Sequence, residues 1–319
     1  SSAHAPRQSP ADEKSGARGP CRRLHMICLL LLVPSLQAPP PQRRVFAQTA
    51  TAWLPPEAPA TFRAWPALND EGTRKAVNAG RRFRLHLQNA SAAEASGGDP
   101  TLELFQADTL MNRFALALAR RKAVDRKEFF ESTEFFARTR HKLRADGGST
   151  LVDVAGGHGL VGVLAAIVMA ERFERVIVRD MRRPAAFDEV LAAAVEAAPW
   201  VEGRVVYEEE KVGPHAPLPR GCAVACVHGC KSLTDQIIAA AADADARSIA
   251  CMPCCYRSTA DSAPDAVCGA LGAPLATDIM RTIELERLGF TVAWTAIPPT
   301  ISPMNRILLA HRPEREANA

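Results

Sequence analysis

Leu151-Val152-Asp153-Val154-Ala155-Gly156-Gly157-His158-Gly159-Leu160-Val161-Gly162 is the stretch on which the fold turns. An apolar run of strand length is interrupted by one acid and closes on glycines, and Leu160 to Met169 then continues as an apolar segment of helical length. Strand, tight turn and helix follow without a spacer. Glycine suits such a turn because the chain must reverse sharply and let a ligand come to contact distance. The helix amino terminus behind it offers unpaired N–H groups to polar atoms.

Outward from this stretch the same alternation repeats. Runs of strand length fall near 150–154, 175–179, 203–207, 222–228 and 248–252, and helical runs near 159–172, 185–197, 233–245 and 274–288. This order predicts a Rossmann-like, doubly wound α/β domain with a mostly parallel sheet covered on both faces. Phe290 to Ile297 and Arg306 to Ala310 are joined by a Pro-rich turn with no room for a helix, so an antiparallel hairpin should close a seven-stranded sheet. Upstream, Leu102 to Leu118 and Phe129 to Phe136 place apolar residues at three- and four-residue spacing, which predicts two lead-in helices. Lys211 to Gly221 is too rich in proline for a full third crossover helix.

Gly157, Gly159 and Gly162 satisfy the spacing of the dinucleotide fingerprint, which taken alone is a weak signal. Asp153 separates the readings, because nicotinamide-binding folds usually keep that strand apolar up to the glycine. The second strand ends in Asp180, placed where ribose hydroxyls are gripped. The plainer alternative makes both acids turn or cap residues without a ligand. Two later segments complete the pattern: Val227-His228-Gly229-Cys230-Lys231-Ser232-Leu233-Thr234-Asp235, and Met252-Pro253-Cys254-Cys255-Tyr256. Together these motifs resemble the class I S-adenosylmethionine-dependent methyltransferases, over about 149–311. The similarity is greatest to the branch holding the tRNA acceptor-stem 2′-O-methyltransferases and their methyltransferase-like relatives. That branch follows its cysteine pair with an aromatic residue or a histidine; here Cys255 is followed by Tyr256 and not by a histidine pair, and the Cys/His zinc finger of the tRNA enzymes is absent.

The resemblance implies S-adenosylmethionine as cofactor, with Asp153, Ala155, Gly156, Gly157 and Gly159 around its methionine part, Asp180 on the ribose and Glu208 facing the adenine. Methyl transfer is an in-line displacement that needs the two reactants held collinear, and a hydroxyl acceptor needs a base within hydrogen-bond reach. His228, Asp235 and Tyr256 are the candidate bases, and Cys254 the candidate for a covalent thiol. A histidine at a strand end is a structural hydrogen-bonder about as often as a base. His228, Cys230, Cys254 and Cys255 lie on neighbouring strand ends, where they could converge on a metal. Neither segment has a two-residue-spaced ligand pair, however, and adjacent Cys254 and Cys255 should point to opposite sides, so no metal is expected. Thiols packing a pocket floor are the simpler role, with Cys222 and Cys226 in the core. The acceptor is expected to be RNA, with a small molecule or a protein as the alternative. A NAD(P)-dependent oxidoreductase and a non-catalytic cofactor-binding relative are the competing classes.

The 319 residues carry 39 Lys and Arg against 35 Asp and Glu, but 13 of the basic and only 6 of the acidic residues precede position 99. The +4 balance therefore describes the leader and is weak evidence for a nucleic-acid partner. No acid occurs between Lys14 and Pro56, and Met26 to Val33 is an apolar run of eight behind Arg22-Arg23. That is too short to span a membrane but suits a signal region, and the Arg/Ala/Pro-rich stretch after it resembles a transit peptide. The expected domains are a leader over 1–56, a linker over 57–100 with one short helix near Lys75 to Leu87, a helical lead-in over 101–148, the methyltransferase domain over 149–313 and a tail over 314–319. Such a leader predicts an organelle bounded by extra membranes, such as a plastid. A disordered tail, with Met26 as the true start and a cytoplasmic protein, is the alternative. A monomer without stable membrane insertion is expected. Seven of the nine cysteines fall between Cys222 and Cys268, which in a chain of this length reads as reduced thiols. The lead-in stretch 102–144 holds ten basic against six acidic residues, a pattern that steers phosphate or merely faces solvent. Asn305-Arg306 either contacts the acceptor or fixes the hairpin.

Overall fold

The computed structural model describes residues 61–78, 100–145, 150–213, 217–256 and 263–313. The leader, the helix expected beyond Asn78, most of the linker and the tail lie outside these residues. Seven strands form one sheet: β1 (Thr150–Val154), β2 (Arg175–Asp180), β3 (Val205–Glu209), β4 (Ala223–Val227), β5 (Ser248–Met252), β6 (Thr291–Ala296) and β7 (Arg306–His311). Their order is β3-β2-β1-β4-β5-β7-β6. β1 to β5 run parallel, and β7 is antiparallel to both β5 and β6, as the helix-free connection before it required.

The chain steps from β1 outward through β2 and β3, then returns to the other side of β1 with β4 and β5. The order therefore reverses at the β1/β4 boundary, and open α/β sheets bind ligands outside the carboxyl ends of strands at such a point. All five positions of β4 and of β5 are buried, as strands covered on both faces require. Alternation along the strands divides the core into two layers. Leu151, Val176, Val178, Ala223 and Ala250 face one side, and Val152, Val154, Ile177, Val224 and Ile249 the other.

Against the first layer pack α2 (Leu110–Arg121), α3 (Arg126–Thr139), α4 (Leu160–Val168) and α5 (Ala185–Ala197); against the second, residues of α6 (Leu233–Asp243) and α8 (Ala273–Arg287). A short α7 (Asp265–Leu271) was not legible in the sequence, because none of its residues is buried and it has no apolar stripe. Among the described residues no helix joins β3 to β4.

The stretch expected to be linker departs from expectation at 61–78. α1 (Glu71–Asn78) begins four residues before the anticipated helix, and Phe62, Trp65, Leu68 and Val77 are buried in the first core layer. Buried Glu134 of α3 fixes this segment by accepting hydrogen bonds from the Arg63 and Ala64 N–H groups at 3.0 and 2.7 Å. Trp65 donates from Nε1 to Thr133 Oγ1 at 3.1 Å and meets Phe105 edge-on and Phe129 at a tilt. Four apolar residues among polar ones gave no periodic signal, and it is the partners on α3 that make the segment part of the domain.

Candidate active site at the glycine turn

The turn after β1 uses three residues of positive φ: Ala155 at 55°, Gly157 at 52° and Gly159 at 73°. Ala155 pays a steric cost there that glycine would not. Gly156 is required by contact instead, since an added Cβ would stand 2.8 Å from Val178 Cγ1 and 3.0 Å from the Asp153 carbonyl oxygen. Asp153 is 2% exposed, and its Oδ2 accepts from the Gly162 N–H at 2.8 Å, one of the unpaired donors in the first turn of α4. This carboxylate thus joins β1 to α4. Burial pushes its pKa up to about 7, against the Gly162 hydrogen bond and the His158 charge, which lower it. Asp180 closes the turn from β2: Oδ2 accepts from the Gly157 N–H at 2.9 Å and Oδ1 from the Met181 N–H at 2.6 Å. A carboxylate oxygen has a second lone pair, so both remain able to accept from a ligand hydroxyl.

A cavity of about 180 Å³ opens over this turn, lined by Asp153, Ala155 to His158, Val227 and His228, with Glu128 and Ser132 of α3 opposite. Two histidine–carboxylate pairs bridge α3 to the sheet edge: His158 Nε2 to Glu128 Oε2 at 3.3 Å, and His228 Nε2 to Glu131 Oε2 at 3.1 Å. The hydrogen bond from His158 holds Glu128 below the usual carboxylate range, against the upward push of burial. Burial would raise Glu131, but the neighbouring His228 ring and the Lys127 ammonium, which donates to its other oxygen at 2.6 Å, outweigh it and leave it lowered. The lead-in helices, read from sequence only as a basic stretch, therefore supply the acidic wall of the cavity. The available signal was Glu128, Glu131 and Glu134 at three-residue spacing along one helix.

The remaining sequence candidates do not gather here. Glu208 pairs instead with Arg179, whose Nη2 and Nε donate to it at 2.6 and 3.1 Å. Strand alternation turns its neighbour Tyr207 to the glycine turn, where the hydroxyl donates to the Arg182 carbonyl at 2.8 Å and lies 3.2 Å from the Gly157 carbonyl. Burial and the Asp180 charge push the Tyr207 phenol up to about 12. Tyr207 was missed because only the register shows which of two adjacent residues faces the turn.

Asp235 and Tyr256, expected as bases, are tied into a network with charged residues of α8 and β7. Arg281 donates to Asp235 at 2.7 Å, Tyr256 donates to Asp278 at 2.7 Å, and Arg306 donates to Asp278 at 2.9 Å. Burial and the Asp278 carboxylate push the Tyr256 phenol far above its ordinary value, so it is a donor and a poor base. Asn305, whose amide donates to the Ile297 carbonyl at 2.6 Å, fixes the closing hairpin, and Arg306 ties β7 to α8 through Asp278. Cys254 meets the Cys230 sulfur at 3.0 Å and the Cys255 sulfur at 3.6 Å. The adjacent cysteines thus turn toward one another and not to opposite sides, because the chain leaves β5 before reaching them and strand alternation no longer applies. None of the seven described cysteines forms a disulfide.

The basic lead-in residues are largely engaged within the chain. Arg120 and Arg121 pair with Glu196, Lys127 with Glu131, and buried Arg138 with Glu134 and the Ala296 carbonyl. Among the described residues no helix is long and apolar enough to cross a membrane.

Residues 126–262, less than half of the chain, match the family model described as a methyltransferase domain. No curated protein matches the chain in sequence. Among solved structures, an rRNA methylase from Streptococcus thermophilus is similar at 13% identity and a TM-score of 0.38, over 60% of this chain and 99% of that one. A precorrin-6y C5,15-methyltransferase from Geobacter metallireducens gives 16% and 0.37, over 56% and 87%. A Haloferax volcanii complex of a methyltransferase activator with a putative methyltransferase gives 12% and 0.39, over 63% and 98%. Likenesses this loose carry no argument about acceptor or partner. The glycine turn and its two acids, Asp153 and Asp180, lie within the stretch that matches the methyltransferase-domain model.

Proposed function

We propose that this chain transfers a methyl group from S-adenosylmethionine to RNA, with the cofactor lying over the glycine turn. The observation that carries the reading is Asp180 at the carboxyl end of β2, held by the Gly157 N–H beside the point where strand order reverses. When bound, the cofactor supplies an electrophilic methyl group. Asp180 would accept from its ribose hydroxyls and Ala155 to Gly159 would let it approach the backbone, while Asp153 would hold the turn beneath it to the following helix.

His228 is the side chain best placed to act on the acceptor. It lines the same cavity at the end of β4, and Glu131 orients its ring from α3. RNA as acceptor rests on the likeness of the 227–235 and 252–256 segments to the tRNA-modifying branch. The test incubates the protein with radiolabelled S-adenosylmethionine and total RNA. Label that is lost on nuclease treatment supports the proposal, and label resisting nuclease points to a different acceptor. Failure to label any fraction by a protein that binds the cofactor overturns it in favour of a non-catalytic relative.

A further inference from the structure

Beyond the cofactor cavity, two loops at the carboxyl edge of the sheet carry three cysteines toward one point. The loops are tied by backbone hydrogen bonds: His228 N–H donates to the Met252 carbonyl at 3.2 Å, and Lys231 N–H to the Cys255 carbonyl at 3.0 Å. His228 and Lys231 hold left-handed φ values of 69° and 60°, costing roughly 1–2 kcal/mol each for residues with side chains. Gly229 between them cannot carry a side chain, since its Cβ would stand 2.7 Å from Cys226 Sγ. Thr234, from the first turn of α6, pins the loop by donating to the Gly229 carbonyl. Backbone strain of this kind persists only where the surroundings over-determine it, and here it sets Cys230 against Cys254.

The three sulfur atoms of Cys230, Cys254 and Cys255 all lie within 4.8 Å of one another, with two of the separations at 3.0 and 3.6 Å. With metal–sulfur bonds of about 2.3 Å, a tetrahedral thiolate site has sulfur–sulfur edges of about 3.8 Å, so the trio needs only small side-chain shifts to hold an ion. The remaining described cysteines are placed otherwise: Cys222, Cys226 and Cys251 are core residues, and Cys268 lies against the Ala263 carbonyl. Cys230 and Cys254 are partly buried, with the Cys254 sulfur against those of both Cys230 and Cys255. Cys255 is exposed, so an ion can enter from solvent.

We propose that Cys230, Cys254 and Cys255 bind one zinc ion, with the fourth coordination position open to water or to a donor atom of an incoming molecule. Three protein ligands with an open position mark the catalytic type of zinc site and not the closed structural type. Binding exchanges three S–H protons for the ion: three thiols and Zn²⁺ give a trithiolate complex of net charge −1 and three free protons. The site stands without the methyl-transfer reading, since metal content is measured with no cofactor present.

The test uses the full chain purified under reducing conditions and equilibrated with zinc, then dialysed against a weak chelator. The expected result is about one zinc per chain for the wild type and for Cys268→Ser, falling at least tenfold in the Cys230→Ser/Cys254→Ser/Cys255→Ser variant. Calorimetry in buffers of different ionisation enthalpy should show release of about three protons. Should the triple variant not fold, cobalt substitution in the wild type decides, through an intense sulfur-to-cobalt charge-transfer band. No retained zinc, equal zinc in the triple variant, a cobalt spectrum without that band, or a Cys230–Cys254 disulfide that forms in its place would each overturn the proposal.

Discussion

Replacing Asp153 with Asn tests the link between burial and charge beneath the site. The wild-type carboxyl is 2% exposed, accepts from the Gly162 N–H at 2.8 Å and has its pKa pushed by burial from 3.8 to about 7. A carboxyl raised in the folded state costs no stability below its unfolded pKa, and costs progressively more as pH rises toward the folded value. At 1.36 kcal/mol per pH unit, linkage puts the cost at roughly 1.5 kcal/mol at pH 5 and about 4 kcal/mol at pH 8. Asn keeps an oxygen for the Gly162 N–H and does not titrate. Its stability relative to wild type should therefore rise by about 2–3 kcal/mol between pH 5 and pH 8, read by urea unfolding of the cofactor-free proteins at both values. A relative stability that is flat, or that falls over this interval, would refute the reasoning and place a further cation or a solvent path beside Asp153.

Asp180→Ala should weaken S-adenosylmethionine binding by about 1.5–3 kcal/mol, since hydrogen bonds to a charged acceptor are lost; an unchanged dissociation constant in the folded variant makes this carboxylate purely structural. Gly156→Ala forces a Cβ to 2.8 Å from Val178 and 3.0 Å from a backbone oxygen, so thermal unfolding should show a loss of about 1–3 kcal/mol. His228→Ala should lower methyl transfer by about 10²-fold or more while cofactor affinity stays within about twofold, the signature of a group acting on acceptor or transition state. Normal transfer by that variant would move the acceptor site away from the β4 edge.

What the sequence disclosed and what it withheld follow a physical division. Buried parallel strands and their crossover helices are continuous apolar runs, so all seven strands and the four helices from α4 to α6 and α8 were legible within a few residues. The glycine turn and the acids at the ends of β1 and β2 were legible because a tight turn and an interrupted apolar run are local features. Side-chain partners are not local. Nothing in the spacing of Asp235 and Tyr256 announced Arg281 and Asp278, which lie 46 and 22 residues away. Likewise the acidic wall from α3 depends on how a helix packs over the sheet edge, and Tyr207 displaced Glu208 at the turn through register alone. The mutual approach of Cys254 and Cys255 depends on where β5 ends.

Titration calorimetry of the full chain with S-adenosylmethionine and, separately, with NADH tests the central claim most directly, because both ligands suit a glycine turn at a strand-order reversal. The account predicts saturable binding of one S-adenosylmethionine per chain and no heat of binding with NADH. Binding of NADH with none of S-adenosylmethionine would contradict it.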